Sequence, residues 1–376
     1  MVSFQRIDGY VLTPQGFIRG FIEQQDGRIT RIEGEPVSES QVRHDAVALP
    51  IVLPGFIDVH VHGGGGHDTM EGGEAALQMS KLHVRHGTTS LLATTMTAPL
   101  EDIRNAIAAL APVCRERAKN GARVLGVHLE GPYISPAKLG AQPDFAKPAS
   151  LEEIHALHAL APIRLITLAP ELPGTLELIA QLRAEGFQVQ IGHTAGTYED
   201  GVAALQQGAG GFTHLFNAMT GLHHREPGMV GAALAHARYA EVIPDLLHVH
   251  PGAIRVAMRS IPCMFCVTDS TAAAGMPDGD YKLGSHTVTK CMGGVRLPDG
   301  TLAGSTLTMD QALRNLVGMG LEIEDASKRV SSYAAEYMGL SDRGQLVVGA
   351  WADLVVMDRA LQLQRVVVEG EEIDLA

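Results

Sequence analysis

Apolar residues along this chain fall in two rhythms. Short apolar runs of strand type recur at residues 56–62 (FIDVHVH), 88–95 (TTSLLATT), 123–130 (RVLGVHLE), 163–169 (IRLITLA), 187–193 (FQVQIGH), 211–217 (GFTHLFN), 240–249 (AEVIPDLLHV) and 264–269 (MFCVTD). Between most of them apolar positions recur at helical spacing, over 73–86, 101–119, 151–160, 174–185, 199–207 and 251–260, and after the last strand over 308–319 and 324–338. Eight buried strands joined by helices predict an α/β fold, a (β/α)8 TIM-type barrel, over residues 55–345. A doubly wound open sheet is the alternative, weakened because no G-x-G-x-x-G follows the first strand.

The stretch 280–305 breaks the alternation. Pro298-Asp299-Gly300 marks a turn between VTKCMGGVRL and TLAGST, which reads as a hairpin inserted after the eighth strand near the barrel mouth. Residues 1–50 read as short strands and turns, with Asp26-Gly27 as a hairpin signal. Ala352–Met357 and QRVVVEGEEI read the same way, so both ends of the chain are β-rich and the middle is not.

Composition narrows the class. Hydrophobic residues make up 45% and charged residues 19%, which argues against disorder. With 29 basic and 42 acidic residues the net charge is −13, so neither nucleic acid nor an anionic membrane is an expected partner. An anionic small substrate would need local basic groups to hold it. No run approaches the ~18 apolar residues of a membrane span, and the N-terminal stretch MVSFQRIDGYVLTPQG has no apolar secretory core. A soluble, cytoplasmic protein is expected. Cys114, Cys263, Cys266 and Cys291 suggest no disulfide framework and fit a reducing compartment. Cys263 and Cys266 form a C-x-x-C, but with no second pair they read as small buried side chains rather than a redox or zinc site.

The chemistry gathers at strand ends, where a barrel presents its functional side chains. Strand one ends Asp58-Val59-His60-Val61-His62, and a period of two puts the acid and both histidines on one face. Strand three ends with His128 and Glu130, strand five at His193, strand six carries His214, and strand eight ends at Asp269. A lone strand histidine is usually structural, but such groups at one end of five strands point to a divalent metal, zinc or a similar first-row ion. A bound cation of this kind lowers the pKa of water from 15.7 to about 7 and polarises a carbonyl, which suits amide hydrolysis. Asp269 is the candidate general base and acid. Asp58 and His128 are expected to orient ligands rather than bind metal. Gly63–Gly66 are not a phosphate loop, since no Gly-Lys-Ser/Thr follows. They are expected to let the chain pass close to a crowded site.

These residues resemble the N-acetylglucosamine-6-phosphate deacetylases of the amidohydrolase superfamily. The matching stretches are PGFIDVHVHG (54–63), HLEGP (128–132), GHTAG (192–196), HLFNAMTGLHHREPGMVGAAL (214–234), VTDSTAAAGMPDGDYKLG (267–284), LAGSTLTMDQALRNLV (302–317) and ADLVVMD (352–358). The resemblance implies a small β-sandwich domain from residues 1–54 plus 346–376 beside the barrel. It implies a main metal held by Glu130, His193 and His214, and a second at His60 and His62 with Glu130 between the two. It therefore implies one or two divalent ions per chain, with zinc favoured over iron, manganese or cobalt. Asp269 would be the base and acid. Asn217, Ala218, Arg225 and His248 resemble positions that bind the sugar phosphate, some of them across a homodimer interface. Leu302, Ala303 and Gly304 resemble a segment that lines the substrate.

Two departures fall near the expected sugar pocket, where Ala141 and Gln142 are also expected to contact substrate. Gly140-Ala141-Gln142 stands where many relatives have Gly-Ala-His, and Leu246 stands where many have glycine. Deacetylation of N-acetyl-D-glucosamine 6-phosphate is the favoured activity and the galactosamine epimer its near rival. A dihydroorotase-like enzyme is disfavoured because strand four ends Leu168-Ala169-Pro170-Glu171, without the lysine such enzymes carry there. A non-catalytic assembly or sensor protein on the same fold is disfavoured because six site candidates are retained.

Overall fold

The computed structural model describes residues 4–375. All eight expected barrel strands are present, at Phe56–Val61, Thr88–Thr94, Arg123–Glu130, Ile163–Leu168, Gln188–Ile191, Gly211–Phe212, Glu241–Val242 and Phe265–Cys266. The first six form one parallel sheet in chain order, and the last two pair in parallel with each other. Backbone hydrogen bonds close the ring. Leu215 N–H donates to Glu241 O at 2.9 Å between strands six and seven, and Asp269 N–H to His60 O at 2.9 Å between strands eight and one.

Helices cover the outside where the apolar spacing predicts them. Leu100–Arg115, for example, buries Ile103, Ala106, Ile107 and Leu110, a stripe at spacings of three and four. Three expectations need correction. Strand seven stops at Val242 rather than continuing to residue 249, since Pro244 has no N–H for a ladder. The chain beyond it is a loop in which the Asp245 carboxylate accepts from the backbone N–H groups of Leu247 and His248, at 2.9 and 2.8 Å. The helix expected over 324–338 is two, Ile323–Val330 and Ser332–Tyr337. It breaks at Ser331, whose hydroxyl donates to Ser327 O at 2.7 Å and whose backbone leaves the helical region. The inserted segment is a three-stranded meander, Gly279–Leu283, His286–Cys291 and Gly294–Arg296, with the turn at Pro298–Gly300 following it. Leu283, Val288, Val295 and Ala303 pack it onto Met96 and Ala273 at the barrel mouth.

The chain ends form one mixed seven-stranded sheet, in the order Glu371–Glu372, Leu363–Val368, Leu354–Met357, Ile51–Pro54, Phe4–Thr13, Gly16–Gln25, Arg28–Pro36. Its first strands are long hairpin partners rather than short pieces. Asp26 and Gly27, with φ of 50° and 84°, make the two-residue turn between them. Alternation gives the sheet two jobs. Val11, Val52, Leu354, Val356 and Val367 face a small core of its own. Their neighbours Tyr10, Ile51, Leu53, Val355, Val366 and Val368 join the core that runs into the barrel. The sheet curls over the small core, bringing its edge strand to the 349–352 segment. Ile29 N–H there donates to Ala350 O at 2.9 Å, and Ala352 N–H to Gly27 O at 2.8 Å.

A buried ion network lies near the small sheet. Arg343 binds both Asp353 and Glu369, and Glu369 also takes Arg123 at 2.8 Å and Arg117 at 3.2 Å. Burial opposes charge on Glu369, but its arginine partners outweigh that and hold the carboxyl down at about 2. Arg343→Ala leaves Asp353 buried without its cation. The expected cost is about 3–5 kcal/mol of unfolding free energy, read by denaturant titration; a loss below about 1 kcal/mol would show the network to be dispensable.

Among the described residues no helix is long and apolar enough to cross a membrane. All four cysteines are free. Burial pushes the Cys266 thiol up to about 12, which disfavours the thiolate that redox chemistry at the C-x-x-C would need.

Candidate metal centre and substrate cavity

Six side chains from strands one, three, five, six and eight converge at the barrel's C-terminal mouth. Glu130 lies between two groups of imidazoles. Its Oε1 is 3.0 Å from His214 Nε2 and 3.2 Å from His193 Nε2. Its Oε2 is 3.1 Å from His62 Nε2 and 3.5 Å from His60 Nε2. Asp269 Oδ1 closes the second group, 3.3 Å from His62 Nε2 and 3.5 Å from His60 Nε2. Backbone geometry makes this convergence. His193, His214 and Asp269 have φ of 47°, 28° and 50°, left-handed values that few non-glycine residues adopt.

Chain crowding at the mouth explains two glycines. A Cβ on Gly63 would meet Ala272 N at 2.4 Å, so only glycine lets this turn pass against the end of strand eight. At Gly304, with φ of 60°, a Cβ would meet Asp269 O at 2.8 Å.

The donor set fits a divalent cation. Ligand atoms at 2.0–2.1 Å from a tetrahedral zinc lie about 3.3–3.4 Å apart, close to the 3.0–3.5 Å spacings here. His193 Nε2 and His214 Nε2 are 3.1 Å apart, and His60 Nε2 and His62 Nε2 3.2 Å, contacts that two bare lone pairs do not hold without positive charge between them. The far ring nitrogens of His193 and His60 support this orientation. His193 Nδ1–H donates to Lys138 O at 2.9 Å and His60 Nδ1–H to Glu241 Oε2 at 3.0 Å, which turns each Nε2 lone pair inward. Electrostatics agree. Burial disfavours charge on His62, yet its bonds to Asp269 and Glu130 push it up to about 9. Burial likewise opposes ionisation of Glu130, but the surrounding histidines hold it well below the usual carboxylate range. The cluster therefore attracts cations.

Asp269 differs from its neighbours in access. Its side chain keeps 12% of its surface open, against 0% for His60 and 1% for Glu130, so it is the more open of the two acids at the cavity. Burial raises its pKa, but positive charge on His60 and the bond to His62 outweigh that and bring it to about 2, so it is a carboxylate rather than a neutral acid.

The supporting groups are Asp58, His128 and Glu241. Asp58 accepts from Thr268 Oγ1 at 2.6 Å and from the backbone N–H of His60 at 3.3 Å, so it ties strand one to strand eight instead of touching an imidazole. His128 spends both nitrogens, on Val59 O at 3.1 Å and Thr167 Oγ1 at 2.8 Å, and packs edge-on against the His60 ring. No reading of the sequence singled out Glu241. The available signal was an acid inside an apolar strand, one strand from His214.

A cavity of about 230 Å³ opens above the cluster, a small-molecule scale rather than a macromolecular groove. It is lined by His62, Glu130, His193, His214 and Asp269, and beyond them by Ala141, Gln142, Asn217, Ala218, His248, Leu302 and Gly304. Met96, Leu283 and Thr301 line it as well and were not anticipated. Two expected residues lie elsewhere. Ala303 is fully buried in the cluster that anchors the meander, so its neighbours present the lining. Arg225 is exposed on a turn, its guanidinium 2.7 Å from His224 Nε2, and does not line this chain's cavity. His248 Nδ1–H donates to Asp245 Oδ2 at 2.6 Å. Burial opposes its charge, but that bond wins and its pKa is raised.

The model of the amidohydrolase family matches residues 51–373. The N-acetylgalactosamine-6-phosphate deacetylase of Escherichia coli O157:H7 is 39% identical, across 96% of this chain and 97% of that protein. The N-acetylglucosamine-6-phosphate deacetylase of Vibrio furnissii is 38% identical, across 95% and 93%. A mutant N-acetyl-D-glucosamine-6-phosphate deacetylase from Mycobacterium smegmatis, solved in complex with N-acetyl-D-glucosamine-6-phosphate, superposes with a TM-score of 0.89 at 33% identity, covering 99% of each chain.

Proposed function

Since the chain belongs to the amidohydrolase family, we propose that it hydrolyses the acetamide of N-acetyl-D-glucosamine 6-phosphate, giving D-glucosamine 6-phosphate and acetate. The observation that carries this is the ionised, cavity-facing Asp269 beside a cation-shaped cluster divided by Glu130. Glu130, His193 and His214 would hold the main divalent ion, and His60 and His62 a second, with zinc as the first candidate and iron, manganese or cobalt to be compared. When bound, such an ion supplies Lewis acidity, making water more acidic and the acetyl carbonyl more electrophilic.

The chain's own residues do the rest. Asp269 takes a proton from the attacking water and passes it to the nitrogen as the C–N bond breaks. Glu241 and Lys138 O hold His60 and His193 in the orientation that ligation needs. Leu283, Leu302 and Met96 keep bulk water from the bond being cut. Asn217 and Ala218, which line the cavity, would meet the sugar's polar groups, and His248, also in the lining, the phosphate.

The phosphate needs a stronger partner than this cavity supplies, since no lysine or arginine is among its lining residues. A guanidinium suits a phosphate dianion. We propose that Arg225 serves this role in a homodimer, reaching the cavity of the second copy. The galactosamine epimer is the second candidate substrate. One point of identity, 39% against 38%, does not favour it over the first.

Acetate release should be measured on both N-acetyl-hexosamines, with and without the 6-phosphate, against each metal. Turnover of the phosphorylated glucosamine compound well above the other three is expected, and equal turnover of unphosphorylated sugar would refute the assignment. Arg225→Ala should lose about ten- to a hundredfold in kcat/KM on phosphorylated substrate and little on the unphosphorylated one. Equal losses on both would remove Arg225 from phosphate binding.

A further inference from the structure

We propose that Gln142 is the positioning residue of the bridging carboxylate, holding Glu130 so that one oxygen serves each cation and thereby setting the affinity for the second ion. The inference rests on the two-ion reading above. The side chain of Gln142 is nearly buried, and both ends of its amide are engaged. Its Oε1 accepts Thr97 N–H at 2.7 Å, and its Nε2 donates to Glu130 Oε2 at 2.7 Å. A backbone N–H can only donate, so the amide oxygen must face Thr97 and the NH2 must face the carboxylate. The amide cannot flip without losing both bonds.

The terminal torsion of a glutamate is soft and roughly two-fold. Left alone, the Glu130 carboxylate could swing both oxygens toward one group of imidazoles. Gln142 takes one lone pair of Oε2, the oxygen nearest His62, and so fixes the carboxylate plane with Oε1 toward His193 and His214. A second lone pair on Oε2 remains for a cation. Because the amide is neutral, it orients the acid without competing for its charge. The same loop orients the other group of ligands, since Lys138 O, four residues earlier, takes His193 Nδ1–H. Residues 138–142 thus preset Glu130 and one histidine of the His193–His214 group. Gln142 acts through Glu130 in this role, whatever contact it makes with the sugar.

The test is a cobalt(II) titration of the metal-free protein and of Gln142→Leu, followed by absorbance and checked by elemental analysis. The unaltered protein should take up two ions in separable steps. Gln142→Leu should bind the first ion within about threefold of the parent and the second about 10–100-fold more weakly. Two parent-like steps in the variant would overturn the proposal. So would equal weakening of both steps, which marks a general structural lesion. If the unaltered protein binds only one ion, the fault lies with the His60–His62 site, and the role of Gln142 falls with it. Thermal melting checks that the variant is folded, and Gln142→Ala replaces it if it is not.

Discussion

Replacing Asp269 with asparagine should lower kcat by about 10²–10⁴-fold, the range expected when a general base is removed. The substitution keeps the size of the side chain and deletes its ability to accept a proton. kcat and kcat/KM should fall together, because the interaction lost exists only in the transition state. Metal content is the discriminating readout. Asp269 Oδ1 stands 3.3 Å from His62 Nε2, near enough to join that group as a ligand. A variant that retains all its metal and is inactive marks Asp269 as base and acid alone. Loss of one ion as well would give it both roles, and turnover near that of the parent would exclude it from the chemistry.

Much of this architecture was legible in the order of apolar residues, and the exceptions have physical causes. Gly228–His236 is a helix that the sequence did not announce. It buries Met229, Val230, Gly231, Ala232 and Ala233 in succession, so no polar face marks its period. The break at Ser331 was hidden for the opposite reason, because apolar spacing continues through it while a serine hydroxyl competes for the backbone. At the site, residues that end strands were found because a barrel aims them inward. Glu241 also lies on a strand, but reads as an ordinary polar interruption until His60 is seen against it at 3.0 Å. Gln142 was expected to meet the sugar, and its bond to Glu130 depends on a loop closing over strand three, which no spacing encodes. Arg225 was expected at the phosphate from the family resemblance; reach is a property of the folded chain, and here the turn faces solvent.

Glu130→Gln should be the more damaging lesion, and of a different kind. Glu130 has a carboxylate oxygen within 3.5 Å of the Nε2 of each of the four histidines of the cluster, Oε1 for one pair and Oε2 for the other. The amide keeps the shape but loses the negative charge and one acceptor oxygen, so the His193–His214 group loses its anionic ligand and the His60–His62 group keeps only Asp269. Both ions should bind far more weakly, and turnover at ordinary metal concentrations should fall at least as far as in Asp269→Asn, to about 10⁴-fold or below. The two variants separate under added cation. Mass action refills a weakened site, so Glu130→Gln should regain part of its activity as metal rises. Asp269→Asn should regain none, because its missing group is the proton carrier. A Glu130→Gln protein that holds two ions and turns over normally would show that the convergence at the barrel mouth is structural rather than catalytic, since Glu130 is the carboxylate that meets the inward Nε2 atoms of both groups.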